Sequence, residues 1–349
     1  MKKTGLMAII GLAAAIAPAQ AQDAGDFYRG KTITIIAGSS VGGGLDVYGR
    51  LLSRHIGKHV PGAPGVVVQN MPGAGSLTAA RHIYTIAPKD GLHMGIVLPG
   101  ALLDPLLSAQ DSGGREAGAY DPTKFNYIGN GNAETIVCVV RRDVPVKHFS
   151  EVFDKELLVG GTGPGSSLVD YPVVTRNLIN AKIRLIAGYK GSREVSLAVQ
   201  QNEVQGICGL AWSSAKNQYP DIFKPDGYVK VLVQEDSAPH PEVAALGVPL
   251  AIDFVKDPVQ KRALEVFYSQ GVMSRPFILP PGVSAERVAL LRKAFLAAMA
   301  DPELRTEVAK QKLDANPNTG EELQALINKL YATPKDVLDL LRKAAETKK

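Results

Sequence analysis

The stretch Thr32-Ile33-Thr34-Ile35-Ile36-Ala37-Gly38-Ser39-Ser40-Val41-Gly42-Gly43-Gly44-Leu45-Asp46 decides the fold. A β-branched run reads as a strand, and it empties through a glycine turn into a helix. Three successive glycines are free to take φ > 0 and to bring their N–H groups close to a guest. The helix start adds unpaired donors and a partial positive charge. Ser39 and Ser40 add hydroxyls beside those amides. A P-loop would place Gly-Lys-Ser/Thr at the helix start, whereas this turn continues Leu45-Asp46-Val47. Two readings follow from the turn alone: a cradle for a carboxylate or other small anion held without lysine, or a plain strand-to-helix bend.

Working outward, the same rhythm repeats. A helix is expected over 45–59, with Leu51, Leu52 and Ile56 sharing a face with Val47 and Tyr48. Residues 65–70 read as a strand, 71–76 as a turn and 77–85 as a helix. Residues 94–98, Pro99-Gly100 and 101–107 form a third cycle of strand, turn and helix. Short buried strands alternating with helices predict an α/β fold with mostly parallel sheets. After a polar, glycine-rich loop at 111–121, a second unit begins with one long extended run over 125–140. A strand closing at 159–161 leads into Thr162-Gly163-Pro164-Gly165-Ser166-Ser167, which repeats the chemistry of the opening turn before a helix over 168–179.

Residues 184–187 then read as a strand leading to Gly188-Tyr189-Lys190-Gly191-Ser192, with a helix over 193–201 and strands over 204–210 and 228–234. Segment 239–258 is richer in proline and reads as a crossing between units. Residues 265–275 alternate like a strand, with Val266, Tyr268 and Val272 on one face. Helices are expected over 284–299, 302–311, 320–330 and 334–343, from serine and Asp-Pro start signals.

Two α/β units that each present a Gly/Ser turn where a strand enters a helix imply a cleft between them. In open parallel sheets ligands bind beyond the carboxyl ends of the strands, where these turns lie. A small molecule bearing a carboxylate suits two such cradles.

The N-terminus runs from Lys2-Lys3 through an apolar stretch to Ala19-Gln20-Ala21, the pattern of a secretory signal peptide cleaved after Ala21. Losing Lys2 and Lys3 lowers the formal net charge from +5 to +3. The basic residues are scattered, so the clustered footprint of nucleic-acid binding is missing. Cys138 and Cys208 both sit in apolar strand-like runs and either pair or stay free as buried thiols. The six histidines show no HExxH spacing. His55 and His59 stand four apart without an evident third ligand, which favours surface placement. Gly165-Ser166-Ser167-Leu168 is not a Gly-x-Ser-x-Gly elbow, so catalysis has little support; no metal or cofactor is expected.

Taken together, the signal-like start, Ser39 to Asp46, Gln69-Asn70-Met71-Pro72-Gly73-Ala74-Gly75, Gly161 to Ser167 and Gly188-Tyr189-Lys190-Gly191-Ser192 resemble the Bug (TctC-like) periplasmic solute-binding proteins of tripartite tricarboxylate transporters. The resemblance spans nearly the whole chain beyond the signal. It implies a two-domain Venus-flytrap fold, a small organic carboxylate enclosed between the domains, delivery to a membrane permease, and a monomer. On that basis 1–21 is the signal peptide, 22–126 with 253–349 the first domain and 127–252 the second. Hinges are placed at 125–132 and 249–276.

The resemblance also implies ligand contacts from Ser39, Ser40, Val41, Gly42, Gly43 and Gly44 on one side and from Thr162, Gly163, Ser166 and Ser167 on the other. Asp46, Pro99, Tyr189 and Trp212 stand beside these turns and complete the candidate lining; Asp46 also reads as a helix-stabilising carboxylate, and the aromatics also read as core. The chain departs from the family pattern at Ala37-Gly38-Ser39-Ser40, where Pro-Phe is usual. It departs again at Met71, where Asn-Arg-Pro-Gly is usual, and around Leu168-Val169-Asp170, where a histidine is usual. Two other roles stay open, a binding protein that presents its ligand to a receptor and a secreted hydrolase.

Overall fold

The computed structural model describes residues 24–107, 120–163, 166–311 and 313–346. The expected signal segment, most of the 111–121 loop, and Pro164-Gly165 lie outside the described residues. The expected α/β units form two lobes, each built on one sheet. In the first lobe β1 (Thr32–Ala37), β2 (Gly65–Asn70) and β3 (His93–Ile96) run parallel in the order β2-β1-β3. Helices α1 (Gly44–His55), α2 (Leu77–Thr85) and α3 (Pro99–Leu107) follow these strands. Pro99 and Gly100, expected as a turn, are the opening residues of α3, a place where proline lacks a donor the helix does not use.

Strand β1 is buried on both faces because its side chains alternate between two helix layers. Ile33, Ile35 and Ala37 pack with Leu45, Leu51 and Leu52 of α1, while Ile36 packs with Ala79, Ala80 and Ile83 of α2. Each fully buried isoleucine of this kind contributes about 1.5–3 kcal/mol. That double burial explains why the strand is continuously apolar from Ile35 to Ala37.

The long run over 125–140 is two strands rather than one. Strand β4 (Asn126–Asn130) belongs to the first sheet and β5 (Ile136–Arg141) to the second. The chain changes lobe between them. The second sheet has the order β7-β6-β8-β5-β9, from β6 (Leu157–Gly161), β7 (Ile183–Ala187), β8 (Gly206–Ala211) and β9 (Val229–Gln234). Helices α4 (Ser167–Ile179), α5 (Ser192–Gln200) and α6 (Trp212–Gln218) follow β6, β7 and β8.

Residues 265–275 are not a strand. They fall within α7 (Pro258–Val272) and the link to β10 (Pro276–Leu279). The side chain of Asp257 accepts from the N–H groups of Val259 and Gln260, and Pro258 takes the first helical position, so the helix starts upstream of the alternating pattern. Ala263, Leu264, Val266, Phe267, Tyr268 and Gly271 are all buried. A helix covered on most sides carries period-2 matches by accident.

Strand β10 lies antiparallel between β3 and β4, and β5 lies antiparallel between β8 and β9. Both sheets are therefore mixed, with β10 in the first and β5 in the second running against their neighbours. A short β11 (Asn318–Thr319) edges β4. Helices α8 (Ala285–Ala300), α9 (Pro302–Lys310), α10 (Gly320–Tyr331) and α11 (Lys335–Ala345) close the chain, and α11 packs on α4 and α7. Cys138 of β5 and Cys208 of β8 form a disulfide between neighbouring strands. His55 and His59 are not free surface groups, since they meet Glu307 and Asp301 at 3.0 and 2.9 Å. No helix among the described residues is long and apolar enough to cross a membrane.

Candidate functional site

The opening turn leaves the carboxyl end of β1, with the turns after β2 and β3 beside it. Ser76 ties all three together. Its hydroxyl donates to Gly38 O at 2.8 Å and accepts from Leu98 N at 3.1 Å. Gly38 must be glycine because a Cβ there would stand 2.5 Å from the Ser76 Oγ. Asn70 latches the turn from the neighbouring strand, donating to Ser39 O and to Asp46 Oδ1, each at 2.9 Å.

The three glycines have three different reasons. Only Gly42 takes positive φ, at +78°. A Cβ on Gly43 would stand 3.0 Å from both Ser39 Oγ and Ser40 O. One on Gly44 would stand 3.2 Å from Arg275 Nη2. The amides are also less free than three glycines suggest. Gly42 N donates to Asp46 Oδ2 at 2.8 Å and Gly43 N to Ser40 O at 3.0 Å. What remains toward solvent is the helix start at Gly44, the exposed Ser40 and Val41, and the half-buried Ser39.

Asp46 is corrected from candidate ligand contact to internal latch. Its carboxylate is buried and takes Gly42 N, Asn70 Nδ2, Arg50 Nε at 3.0 Å and Arg50 Nη2 at 2.9 Å. Burial pushes its pKa up, but the bonds from Arg50, Gly42 and Asn70 outweigh it and hold the carboxyl below its ordinary value.

The second turn leaves the carboxyl end of β6. Thr162 Oγ1 and Ser166 Oγ share a hydrogen bond at 2.5 Å, while Gly163 and Ser167 are exposed. Ser166 stands at the N-cap of α4 without a side-chain capping bond. Strand β8 supports this turn closely: Gly209 has φ +73°, and a Cβ there would fall 2.0 Å from Ser167 O. Tyr189 is half-buried, and its hydroxyl donates to Glu203 at 3.3 Å. Its ring edge lies 3.4 Å from where a Gly160 Cβ would stand. Pro99 is half-buried at the start of α3.

Trp212 is corrected to core. It is 2% exposed, packs edge-on against Phe223, and donates its indole N–H to Glu242 at 2.7 Å. Every polar and apolar part of the ring is occupied within the second lobe.

The two crossings between lobes are laced together. Arg275 N donates to Asn130 Oδ1 at 2.7 Å, Gly131 N to Arg275 O at 2.9 Å, Ser274 Oγ to Asn132 O at 2.6 Å and Glu134 N to Gly271 O at 3.0 Å. On the second-lobe side, Glu134 accepts from Ser213 N and Oγ at the start of α6. Burial pushes the Glu134 carboxyl up, with the Ser213 bonds and the Arg275 charge pulling against it. Gly44 thus meets Arg275, whose charge acts on Glu134, and Glu134 holds Ser213 at the start of α6, directly after β8, whose Gly209 backs the second turn. Sequence reasoning passed over Arg275 because it stood at the end of a misassigned strand, with no motif around it.

No protein-family model matches the chain. A Cupriavidus necator protein, described as a UPF0065 protein in the gbd 5′ region, is 27% identical over 333 residues, covering 89% of both chains. A TctC solute-binding protein from Polaromonas, solved without ligand, superposes with a TM-score of 0.68 at 18% identity, over 90% of this chain and 99% of that one. An R. palustris protein solved with adipate gives a TM-score of 0.57 at 17% identity, over 90% and 97%. Two mixed-sheet lobes, laced crossings and a Gly/Ser turn at the carboxyl end of a strand in each sheet accompany that likeness, and the chain resembles the TctC and Bug solute-binding proteins in fold.

Proposed function

We propose that the protein is a periplasmic solute-binding protein of the Bug kind, which captures a small organic carboxylate between its lobes and passes it to a tripartite tricarboxylate-type permease. The observation that carries this reading is the pair of strand-turn-helix units after β1 and β6, joined through the hinge floor at Arg275 and Glu134. Each turn offers hydroxyls and a helix start, chemistry that stabilises an oxyanion. The likeness to a protein solved with adipate supports a carboxylate guest. Residues 22–126 with 253–349 and 127–252 act as the two jaws, and the crossings at 125–132 and 249–276 as the hinge. Ser39, Ser40, Val41, Gly44, Thr162, Gly163, Ser166 and Ser167 line the mouth. Gly42 and Gly43 shape it rather than donate.

The protein works as a monomer, exported by its N-terminal signal, and binds without turnover. Thermal-shift titration with succinate, glutarate, malate and adipate tests the reading, with sugars and diamines as controls. A ligand of the folded state at a hundred times its Kd adds about 2.7 kcal/mol. Stabilisation by a diamine or a sugar, with no response to any acid, would overturn it.

A further inference from the structure

Arg275 lies in the return crossing and belongs to neither glycine turn. Its Nη1 donates to the carbonyl of its own neighbour, Ser274, at 2.7 Å. Its Cζ stands 5.2 Å from the centre of the Tyr48 ring, and its Nη2 rests against Gly44. The Nε is buried and has no hydrogen-bond partner. Among the described residues no carboxylate pairs with this guanidinium. Glu134 and Asp314 are the acids whose charge is felt around it, and Glu134 spends its oxygens on Ser213 and Asn132.

This placement brings two positive groups together. Gly44 is the first residue of α1, so a cation is pressed against the positive end of a helix dipole, where an anion is stabilised and a cation is not. Two arginines of α1, by contrast, are matched: Arg50 grips Asp46 and Arg54 grips Glu307. The third glycine of the run is also explained, because Gly44 does not need positive φ and any side chain there would press on the guanidinium. An anion at the mouth of the first turn would meet the helix start and the guanidinium together, and a planar carboxylate fits the guanidinium fork.

We infer that Arg275 supplies the counter-charge for the ligand's carboxylate at the first turn, so that the site discriminates an acid from its neutral isostere. This rests on the carboxylate-binding reading above. The test uses calorimetric titration of the full protein, Arg275→Gln and Arg275→Lys with succinate, glutarate and adipate and with the corresponding diamides. Arg275→Gln is expected to weaken the best acid at least tenfold while diamide binding stays as weak as in the unaltered protein, and Arg275→Lys to recover part of the loss. Gly44→Ala keeps the charge but displaces Nη2, and should also weaken the acid. An unaltered protein that binds none of the acids overturns both readings. Acid binding left intact in Arg275→Gln, or an equal loss for acid and diamide in a folded variant, overturns the role of Arg275 alone.

Discussion

Replacing Asp46 by asparagine isolates what the latch beneath the first turn contributes. Oδ1 takes Asn70 Nδ2 and Arg50 Nη2, while Oδ2 takes Gly42 N and Arg50 Nε. An amide has one acceptor end, so either orientation of asparagine turns an NH2 group onto two donors. Two hydrogen bonds to a charged acceptor are lost, each ordinarily about 1.5–3 kcal/mol. The side chain of Arg50 is 42% exposed, so water recovers part of its share. A net loss of about 2–4 kcal/mol follows, which is roughly 4–8 °C in Tm.

The pH dependence separates this mechanism from a generic core defect. The native Asp46 pKa is depressed, so its stabilisation is fully present above the unfolded value of about 3.9 and fades as pH falls through the native one. Thermal melts of the protein and Asp46→Asn from pH 7 to pH 3 should therefore draw closer toward the acid end. A gap that stays constant across that range, or a gap below about 1 kcal/mol at pH 7, refutes the latch.

Three further outcomes follow from other parts of the fold. Cutting the Cys138–Cys208 bridge by reduction, or by Cys→Ser at both positions, frees a closure of 70 residues; the chain-entropy relation gives a loss of about 4 kcal/mol, read as a drop in Tm. Glu235 is buried with its carboxyl pushed up to about 7, and among the described residues Gly209 N–H alone donates to that carboxyl. The native state holds that proton more tightly than the unfolded chain, so the penalty of ionisation grows from about pH 4 to about pH 7; Glu235→Gln should gain in melting temperature over the parent across that window, and parallel curves would exclude this. Gly209→Ala adds a Cβ 2.0 Å from Ser167 O at positive φ, which costs about 1–2 kcal/mol in backbone strain before the clash; it should lower Tm and weaken adipate, checked by calorimetry.

Much of the first lobe was legible because its signals are local. The strand–glycine–helix stretch at 32–46 specifies both its elements and its turn, and the bounds of 65–70 and 77–85 match because a β-branched run and a Pro-Gly turn mark them. What failed was non-local. The run over 125–140 carries apolar residues on both sides of Gly129-Asn130-Gly131-Asn132, and nothing local says that the chain changes sheet there. The glycines looked alike on paper, yet Gly43 and Gly44 answer to neighbours, and Arg275 is 231 positions further along the chain than Gly44. Trp212 followed a strand end as a pocket aromatic would, but Glu242, thirty residues on, claims its indole N–H. Asp46 was legible as a helix-start carboxylate, whereas its partners Asn70 and Arg50 needed the fold to appear.

On the inference above, Arg275 would join capture to hinge motion in one residue. Its backbone is held by Asn130 and Gly131 of the outward crossing, while its side chain reaches the first turn. An acid that pairs with the guanidinium would then also load the hydrogen bonds between the two crossings. Hydrogen exchange reads this directly, since amide opening falls when a bound ligand stabilises the segment. With saturating adipate, the amides of Gly131, Glu134 and Arg275, which bond across the crossings, should slow along with those of the first turn. In Arg275→Gln at matched saturation the turn should still gain protection while the crossings gain less. Equal protection of the crossings in both proteins would mean that closure is driven by the two turns alone.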